Sequence, residues 1–550
     1  MFIKKHITST TIYFICLILL AVSLPLSKYT IALFQFILLL IWLSSGTGRD
    51  AGLSNKPKFS LTRLRVWWSF FLKNLSFKIL KFWHNKTALI LASFFLIFLT
   101  GFVRGGNIEY VLTDLRGKLP LLVFPLIIAG MPSLSKKQLN VLLLFYVAAV
   151  LLGTIFSAVQ LFGRRFIEIR DISLFISPVR FGLIICFAIV ILLGFIFAEK
   201  LQKWSVKILF AIIVLWLLFI LIKLESGIGI LILSILTVVF SIKEFFKSGS
   251  IVQKIIFTSI LISFLISAWV LVNNELNHFY KTPKIEISQL EKTTSHGNSY
   301  LHDTINYGIE DGNFIGLYMC EDELKEAWKV RSSYDFDGLD EKSQPLRSTL
   351  IRFLTSKGLY KDMDGVQQLT NEEIGFIEGG IANANYIYHP GFRSRISKIL
   401  FGYEVYQKTA DPNGNSLVQR IVYWKASINI IKENFWLGAG TGNIPYEFER
   451  QYNEMNSKLL QENRMESHNQ YLLVIISVGI LGFIWFMFAM IYPGIKTKAF
   501  SNYRYLAFLL IIIISMLTED TIETQVGVTF FAFFNSLFLI NSEDQSKNSD

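Results

Sequence analysis

Cysteine is scarce in this 550-residue chain: Cys16, Cys186 and Cys320 are the only three, far apart, and they fit neither a disulfide framework nor a thiolate zinc site. Charge is scarce too. Only 17% of residues are charged while 52% are apolar, which leaves too little polar surface for a soluble protein of this length. Acidic residues are the rarer sign, 41 against 53 basic, for a net charge of +12. In a soluble chain that excess would point to nucleic acid. Here the basic residues gather in short loops between apolar runs, as insertion orientation requires. No internal repeat is visible, which argues against a transporter built from inverted halves.

What the chain has in quantity is apolar runs able to cross ~30 Å of hydrocarbon. They begin near Thr10, Tyr29, Thr87, Leu119, Leu139, Val179, Trp204, Ile228 and Ile255, then near Tyr471, Tyr505 and Gln525. The expected fold is therefore an all-α polytopic membrane protein with about twelve transmembrane helices, the fourth and eighth short. Lys4, Lys5 and Ala21-Val22-Ser23 give the first run the marks of a signal peptide, but the second run follows at once and favours an uncleaved helix. A cytoplasmic N-terminus puts the basic loops at 46–86, 131–138, 199–207, 243–254 and 494–504 inside. Within the first, 59–83 mixes Leu, Trp and Phe with basic residues and is expected to lie on the cytoplasmic membrane surface.

The same parity assigns nine helices to 1–272, an outer domain to 273–468, three helices to 469–541 and a cytoplasmic tail to 542–550. The outer segment has helical stretches at 321–331, 347–357 and 418–434 and a capping box at Thr370-Asn371-Glu372-Glu373. Turn signals at Asp311-Gly312, Asp337-Gly338 and Asp364-Gly365 separate them, so a compact, mainly helical domain is expected.

Several cations break the positive-inside pattern. The outer loop 163–178 holds Arg164, Arg165 and Arg170, and Arg180 lies just inside the next helix, where a guanidinium is costly unless paired. Snorkelling to lipid phosphates explains Arg164 and Arg165 as well as any function does. Arg170 and Arg180 are better placed to bind an anion, because arginine pairs bidentately with phosphate. Before the fourth run stand Arg104, Arg116 and Lys118, with Asp114 as a structural partner. Cations near the outer surface suit a lipid diphosphate.

A second constellation begins with Arg420 and Trp424, four apart on one helical face. Gly438-Ala439-Gly440-Thr441-Gly442-Asn443 follows, then His468-Asn469 where the chain re-enters the membrane. The glycine turn follows a helix and lacks a Lys-Ser/Thr, so it is no nucleotide loop; its plainer role is close backbone approach. A lone histidine is more often structural than catalytic. Asp335-Phe336-Asp337 and Asp362-Met363-Asp364 have the Asp-x-Asp pattern of metal-dependent sugar transferases, but each precedes glycine and reads as a solvated turn. His278, His296, His302 and His389 show no ligand spacing, and no metal is assigned.

His468-Asn469, nine residues, then Gly479-Ile480-Leu481-Gly482 resembles the signature of the O-antigen ligase family of bacterial membrane glycosyltransferases, a core shared with O-antigen polymerases. The Arg-x-x-x-Trp helix and glycine turn upstream resemble the same core, so the motifs cover 416–482. The resemblance implies a GT-C-like fold with a periplasmic domain between helices 9 and 10. It also implies glycan transfer from undecaprenyl diphosphate to an acceptor hydroxyl, the lipid A core for a ligase, without a cofactor, at the inner membrane. On that reading Arg170, Arg180 and Arg420 hold the diphosphate and His468 takes the acceptor proton. Asn469 orients the histidine or the sugar, Trp424 stacks on sugar or anchors at the interface, and Gly438, Gly440, Gly442, Arg116 and Lys118 complete substrate binding. Two features depart from the family: Glu225-Ser226-Gly227 stands where members often carry Ser-Arg-Gly, and the insert at 275–415 is long. A polymerase, a protein O-oligosaccharyltransferase and, outside enzymes, a lipid-linked glycan transporter remain alternatives; few polar residues lie mid-helix, which weighs against transport.

Overall fold

The computed structural model describes residues 9–45, 61–163, 173, 175–197, 203–224, 226–247, 249–280, 284–388 and 392–547. Lys4, Lys5, Arg164, Arg165, Arg170, Glu225 and His389 lie outside them. Among the described residues eight helices are long and apolar enough to cross a membrane. They are Ser9–Leu26, Lys136–Leu161, Pro178–Phe197, Trp204–Lys223, Gly227–Lys247, Ile251–Tyr280, Gln470–Lys496 and Gln525–Asp544. Lys28–Ser44 and Tyr503–Ser515 are apolar but shorter. The eighth run, expected short, is thus the 21-residue helix Gly227–Lys247. The fourth is short indeed: Pro120–Gly130, eleven residues, extends only about 16 Å and does not cross alone.

Phe71–His84 and Lys86–Thr100 meet at 90°. Asn85 forms the corner and caps the second helix, accepting from Ala88 N at 2.8 Å. That right angle is the geometry a helix lying along a membrane surface needs before the chain turns inward.

The helix Gln525–Lys547 runs through the middle of the bundle, almost wholly buried. Phe530, Phe534 and Phe538 recur every fourth residue and so share a face. Their rings meet Phe187 and Phe508 at centroid distances of 5.0–6.3 Å, edge-to-face or tilted. Among lipid-like helices, dispersion and ring quadrupoles of this kind replace the hydrophobic effect as the cohesive force.

Outside the bundle, Trp328, Leu350, Phe353, Leu354 and Ile377 anchor a separate hydrophobic core that holds the insert together. Its helices include Glu321–Arg331 and Leu346–Ser356, and Asn371–Glu378 opens with the reciprocal capping box at Thr370 and Glu373. Two small antiparallel sheets accompany them. Asp311-Gly312 is the two-residue turn of one, joining Ile309–Glu310 to Asn313–Phe314 with both turn residues at positive φ. Asp335 and Asp337 are exposed in a turn, whereas Asp362 is buried and caps the helix Met363–Gln367 through Gly365 N at 2.7 Å. The second Asp-x-Asp is therefore a capping site rather than a solvated turn. A third cluster, with Val422, Tyr423, Ile430, Phe448, Tyr452 and Ile476, underlies the segment that follows the insert.

Candidate active site

Asn415 starts the helix Ser416–Glu433 by accepting from Leu417 N and Val418 N. Val422, Tyr423, Ala426 and Ile430 form its buried stripe, at the spacing one face of a helix allows. Arg420 and Trp424 project from a neighbouring face toward the point where the chain re-enters the bundle. Arg420 Nη2 pairs with Glu519 Oε1 at 2.6 Å, and Trp424 Nε1 donates to Ser467 O at 3.0 Å. Trp424 is thus a strut for the histidine loop.

His468 stands in the left-handed region at φ 44°, a conformation that costs a non-glycine residue about 1–3 kcal/mol and persists only when neighbours hold it. Those neighbours are visible. Asn469 caps Gln470–Lys496 through Tyr471 N and Leu472 N and donates to Leu517 O at 3.0 Å. Gln470, fully buried, receives Ile522 N at 2.9 Å and donates to Glu523 at 2.8 Å. The loop 516–523 is therefore clamped beside His468, and it delivers Asp520. His468 Nδ1 lies 3.3 Å from Asp520 Oδ2, and that hydrogen bond holds the imidazole pKa above its ordinary value. The carboxylate favours the charged form of the ring.

Glu519 and Asp520 were not among the expected site residues. Their signal was present, though weak: Thr518-Glu519-Asp520 is a polar island between two long apolar runs.

Glu519 links two cavities. One, about 110 Å³, is lined by Arg395, Ser416, Arg420 and Thr518 together with the apolar Pro178, Val179, Leu224 and Ile228. Ser226 and Gly227 of the departing Glu-Ser-Gly segment also line it. The other, about 10 Å³, has Arg180 and Glu519 in its wall and room for roughly one water. Arg180, Arg420 and His468 therefore converge on Glu519 and Asp520, while Arg170 lies outside the described residues.

The remaining expected residues sit elsewhere. Lys118 is buried and paired with both Asp114 and Glu523, the latter at 2.6 Å. Its charge is consumed internally, so it is a structural centre rather than a phosphate ligand. Arg116, on the same helix, is exposed and does not line the larger cavity. Nearby, burial pushes the Glu466 carboxyl up to about 7, with Tyr110 OH donating to it at 2.6 Å.

The three glycines have a backbone task. Gly479, at φ 70° and ψ −178°, breaks the helix Gln470–Lys496. The turn 435–440 inserts there: Ala439 N donates to Ile476 O at 2.7 Å, Gly440 N to Ser477 O at 3.2 Å, and Ile480 N to Phe435 O at 2.9 Å. A Cβ on Gly438 would lie 2.6 Å from Gly479 N. Gly440 and Gly442 press in the same way on Arg104 and Gly105, and Gly442 O accepts from Asn107 N. All three are buried in these backbone contacts. From Ile480 to Lys496 the helix covers about 26 Å, close to the hydrocarbon thickness. Phe435, Trp436 and Leu437, in the turn that fills the break, are exposed.

Fold and site together define a multi-pass helical membrane protein with a guanidinium-lined, carboxylate-buttressed cavity and a strained histidine at one mouth of the bundle. Residues 377–487 match the family model described as O-antigen ligase, a stretch that contains every motif from Arg420 to Gly482 and shows the resemblance to that family. No curated protein matches the chain.

Proposed function

We propose that the protein transfers a glycan from undecaprenyl diphosphate to an acceptor hydroxyl at the periplasmic face of the inner membrane, with the lipid A core as acceptor. The observation that carries this is the meeting of Arg420, Arg180 and His468 around Glu519 and Asp520, beside a cavity lined by both charged and apolar residues. Such a cavity suits a ligand with a charged head on a prenyl tail. Diphosphate is already a good leaving group, so the chief need is to bind it and stabilise its growing charge. Arg420 and Arg180 are assigned that role.

With Nδ1 turned to Asp520, Nε2 of His468 is the nitrogen left for the acceptor. In the reaction the acceptor oxygen attacks the anomeric carbon, and the bond to the diphosphate breaks with its electron pair leaving on phosphate. The acceptor proton passes to Nε2. Asp520, Asn469 and Trp424 act through the histidine loop and are positioning residues. The test is His468→Ala in cells, scored by glycan attached to the lipid A core on gels. Loss of attachment with a stably expressed variant is expected, and normal attachment overturns the assignment.

A further inference from the structure

Aromatic rings from three segments of the insert meet on one face of a small sheet. We propose that Tyr300, His302, Tyr318 and Tyr360 form a saccharide-binding platform that holds the glycan chain of the lipid-linked donor, with the apolar C–H faces of its sugars laid against the rings. The inference rests on the reading of the larger cavity as the donor site.

Local structure brings the rings together. Leu301–Asp303 pairs antiparallel with Gly316–Met319, and Met319 is bridged in turn to Lys361. Lys361 N donates to Tyr318 O at 2.9 Å and Cys320 N to Lys361 O at 2.8 Å. Side chains alternate between the two faces of extended strands. Leu317, Met319 and Lys361 are buried on the inner face, so Tyr318 and Tyr360 turn outward, beside Tyr300 and His302. All four are half-buried and keep contact with solvent. The Tyr318 and Tyr360 rings lie parallel with centroids 4.1 Å apart. Tyr300 stands edge-on to both at 5.7 and 5.8 Å, and His302 edge-on to Tyr318 at 5.1 Å.

The platform is strained and held. Tyr318 stands at φ 51°, a left-handed conformation that a bulky side chain adopts only at a cost. Glycine would serve that backbone freely, so the ring is kept for what it contacts. His302 fixes the strained residue: its Nδ1 accepts from Tyr318 N at 3.2 Å while its Nε2 donates to Glu291 O at 2.9 Å. Tyr300 OH donates to Asp362. Rings fixed in this way lose little freedom when a ligand lands on them.

Chemistry and place select the ligand. A sugar joins an apolar C–H face to a rim of hydroxyls, and tyrosine joins an apolar body to a polar tip. The charges that bear on the Tyr300 and Tyr360 hydroxyls are the carboxylates of Glu291 and Asp362, which accept from sugar hydroxyls and repel phosphate. The helix Phe392–Thr409 reaches the larger cavity through Arg395, and on the same helix Ser397 Oγ donates to Asp311 at 3.1 Å. From Asp311 to Tyr318 the chain runs seven residues, at most about 25 Å when fully extended. The rings are thus within reach of a glycan that starts at the diphosphate.

The experiment uses the full-length protein in detergent and the free glycan released by mild acid from the cells' own lipid-linked donor, with binding read by calorimetry. Tyr318→Gly suits the backbone, and Tyr360→Leu keeps bulk but loses the ring; each is expected to weaken binding about tenfold, whereas Tyr360→Phe stays within about twofold of wild type. In the transfer assay the two losses appear as a higher donor KM with acceptor KM unchanged. A rise in acceptor KM alone would put the acceptor's sugars on the rings and overturn the assignment. Melting temperature separates misfolding from lost contact, and the comparison of Tyr360→Leu with Tyr360→Phe keeps the test open if Tyr318→Gly fails to fold. If the wild type transfers glycan and the variants match it in binding and KM, the rings are no saccharide site, although the cavity remains the donor site. Variants that bind and transfer normally when purified but fail in cells would mark a protein contact and sink the proposal. If the purified wild type transfers no glycan, the donor-site reading itself falls, and this inference with it.

Discussion

Replacing Gly479 by alanine tests the link between the Gly-x-x-Gly element of the motif and the shape of the site. At φ 70° and ψ −178° the backbone is in a region open essentially to glycine alone, and a side chain there costs about 1–3 kcal/mol. The added methyl would also sit 2.3 Å from Trp436 O and 2.5 Å from Leu437 N. Neither is a flexible side-chain end; both belong to the turn that fills the break. Overpacking of this kind costs roughly 1–3 kcal/mol more. If the turn withdraws instead, Ile476 O, Ser477 O and Ile480 N lose the partners named above, at about 1–3 kcal/mol for each group left unsatisfied. Either route removes several kcal/mol, a large share of the ~5–15 kcal/mol typical of a folded protein. The assay is thermal unfolding of purified wild type and Gly479→Ala in one detergent, with glycan transfer measured in parallel. Gly117→Ala is the control, since a Cβ there meets nothing within 4 Å, and helix propensity favours it by up to ~1 kcal/mol. A Gly479→Ala protein that melts and transfers like wild type would refute the assignment of the break.

Other consequences follow from the charged groups. Because Asp520 raises the His468 pKa, a reaction needing neutral imidazole gains rate with pH through a midpoint above ~6.5. Asp520→Asn should move that midpoint down, so the variant keeps more of its own maximal rate in acid; an unmoved midpoint would contradict the pairing. Arg420→Glu should abolish transfer, whereas Arg420→Lys keeps a residue of activity with a donor KM about tenfold higher or more. Equal activity of the two variants counts against bidentate binding. Glu466 has a folded-state pKa of about 7, above its ordinary 4.5, so its protonated form stabilises the fold at low pH and that contribution is lost as pH rises toward 7. Glu466→Gln should flatten the fall in melting temperature over that interval, and an unchanged slope would show that the carboxyl is solvated.

Local signals in the sequence served well and distant ones poorly. The capping box at Thr370, the Asp311-Gly312 turn and the periodicity behind Ser416–Glu433 each depend on residues within a turn or two of one another. Lys118 shows the opposite case. Asp114 is visible four residues away, but Glu523, the partner that absorbs the rest of its charge, arrives from the far end of the chain. Glu519 and Asp520 were missed for the same reason, since nothing near them in sequence names Arg420 or His468 as partners. The glycine turn was legible in kind as a place of close approach, while its partner at Gly479 was hidden inside what reads as an unbroken apolar helix.

The central position of Gln525–Lys547 sets a constraint on how the protein is made. Ribosomes deliver this helix after the other described spans, yet Phe187 and Phe508 wait for its ring ladder. The earlier helices must leave the translocon around an unfilled slot. Glu519 and Asp520 lie immediately ahead of the missing helix, so they are secured only when it is seated. A chain stalled or truncated before that helix carries Glu519 and Asp520 unsecured beside Arg420 and His468.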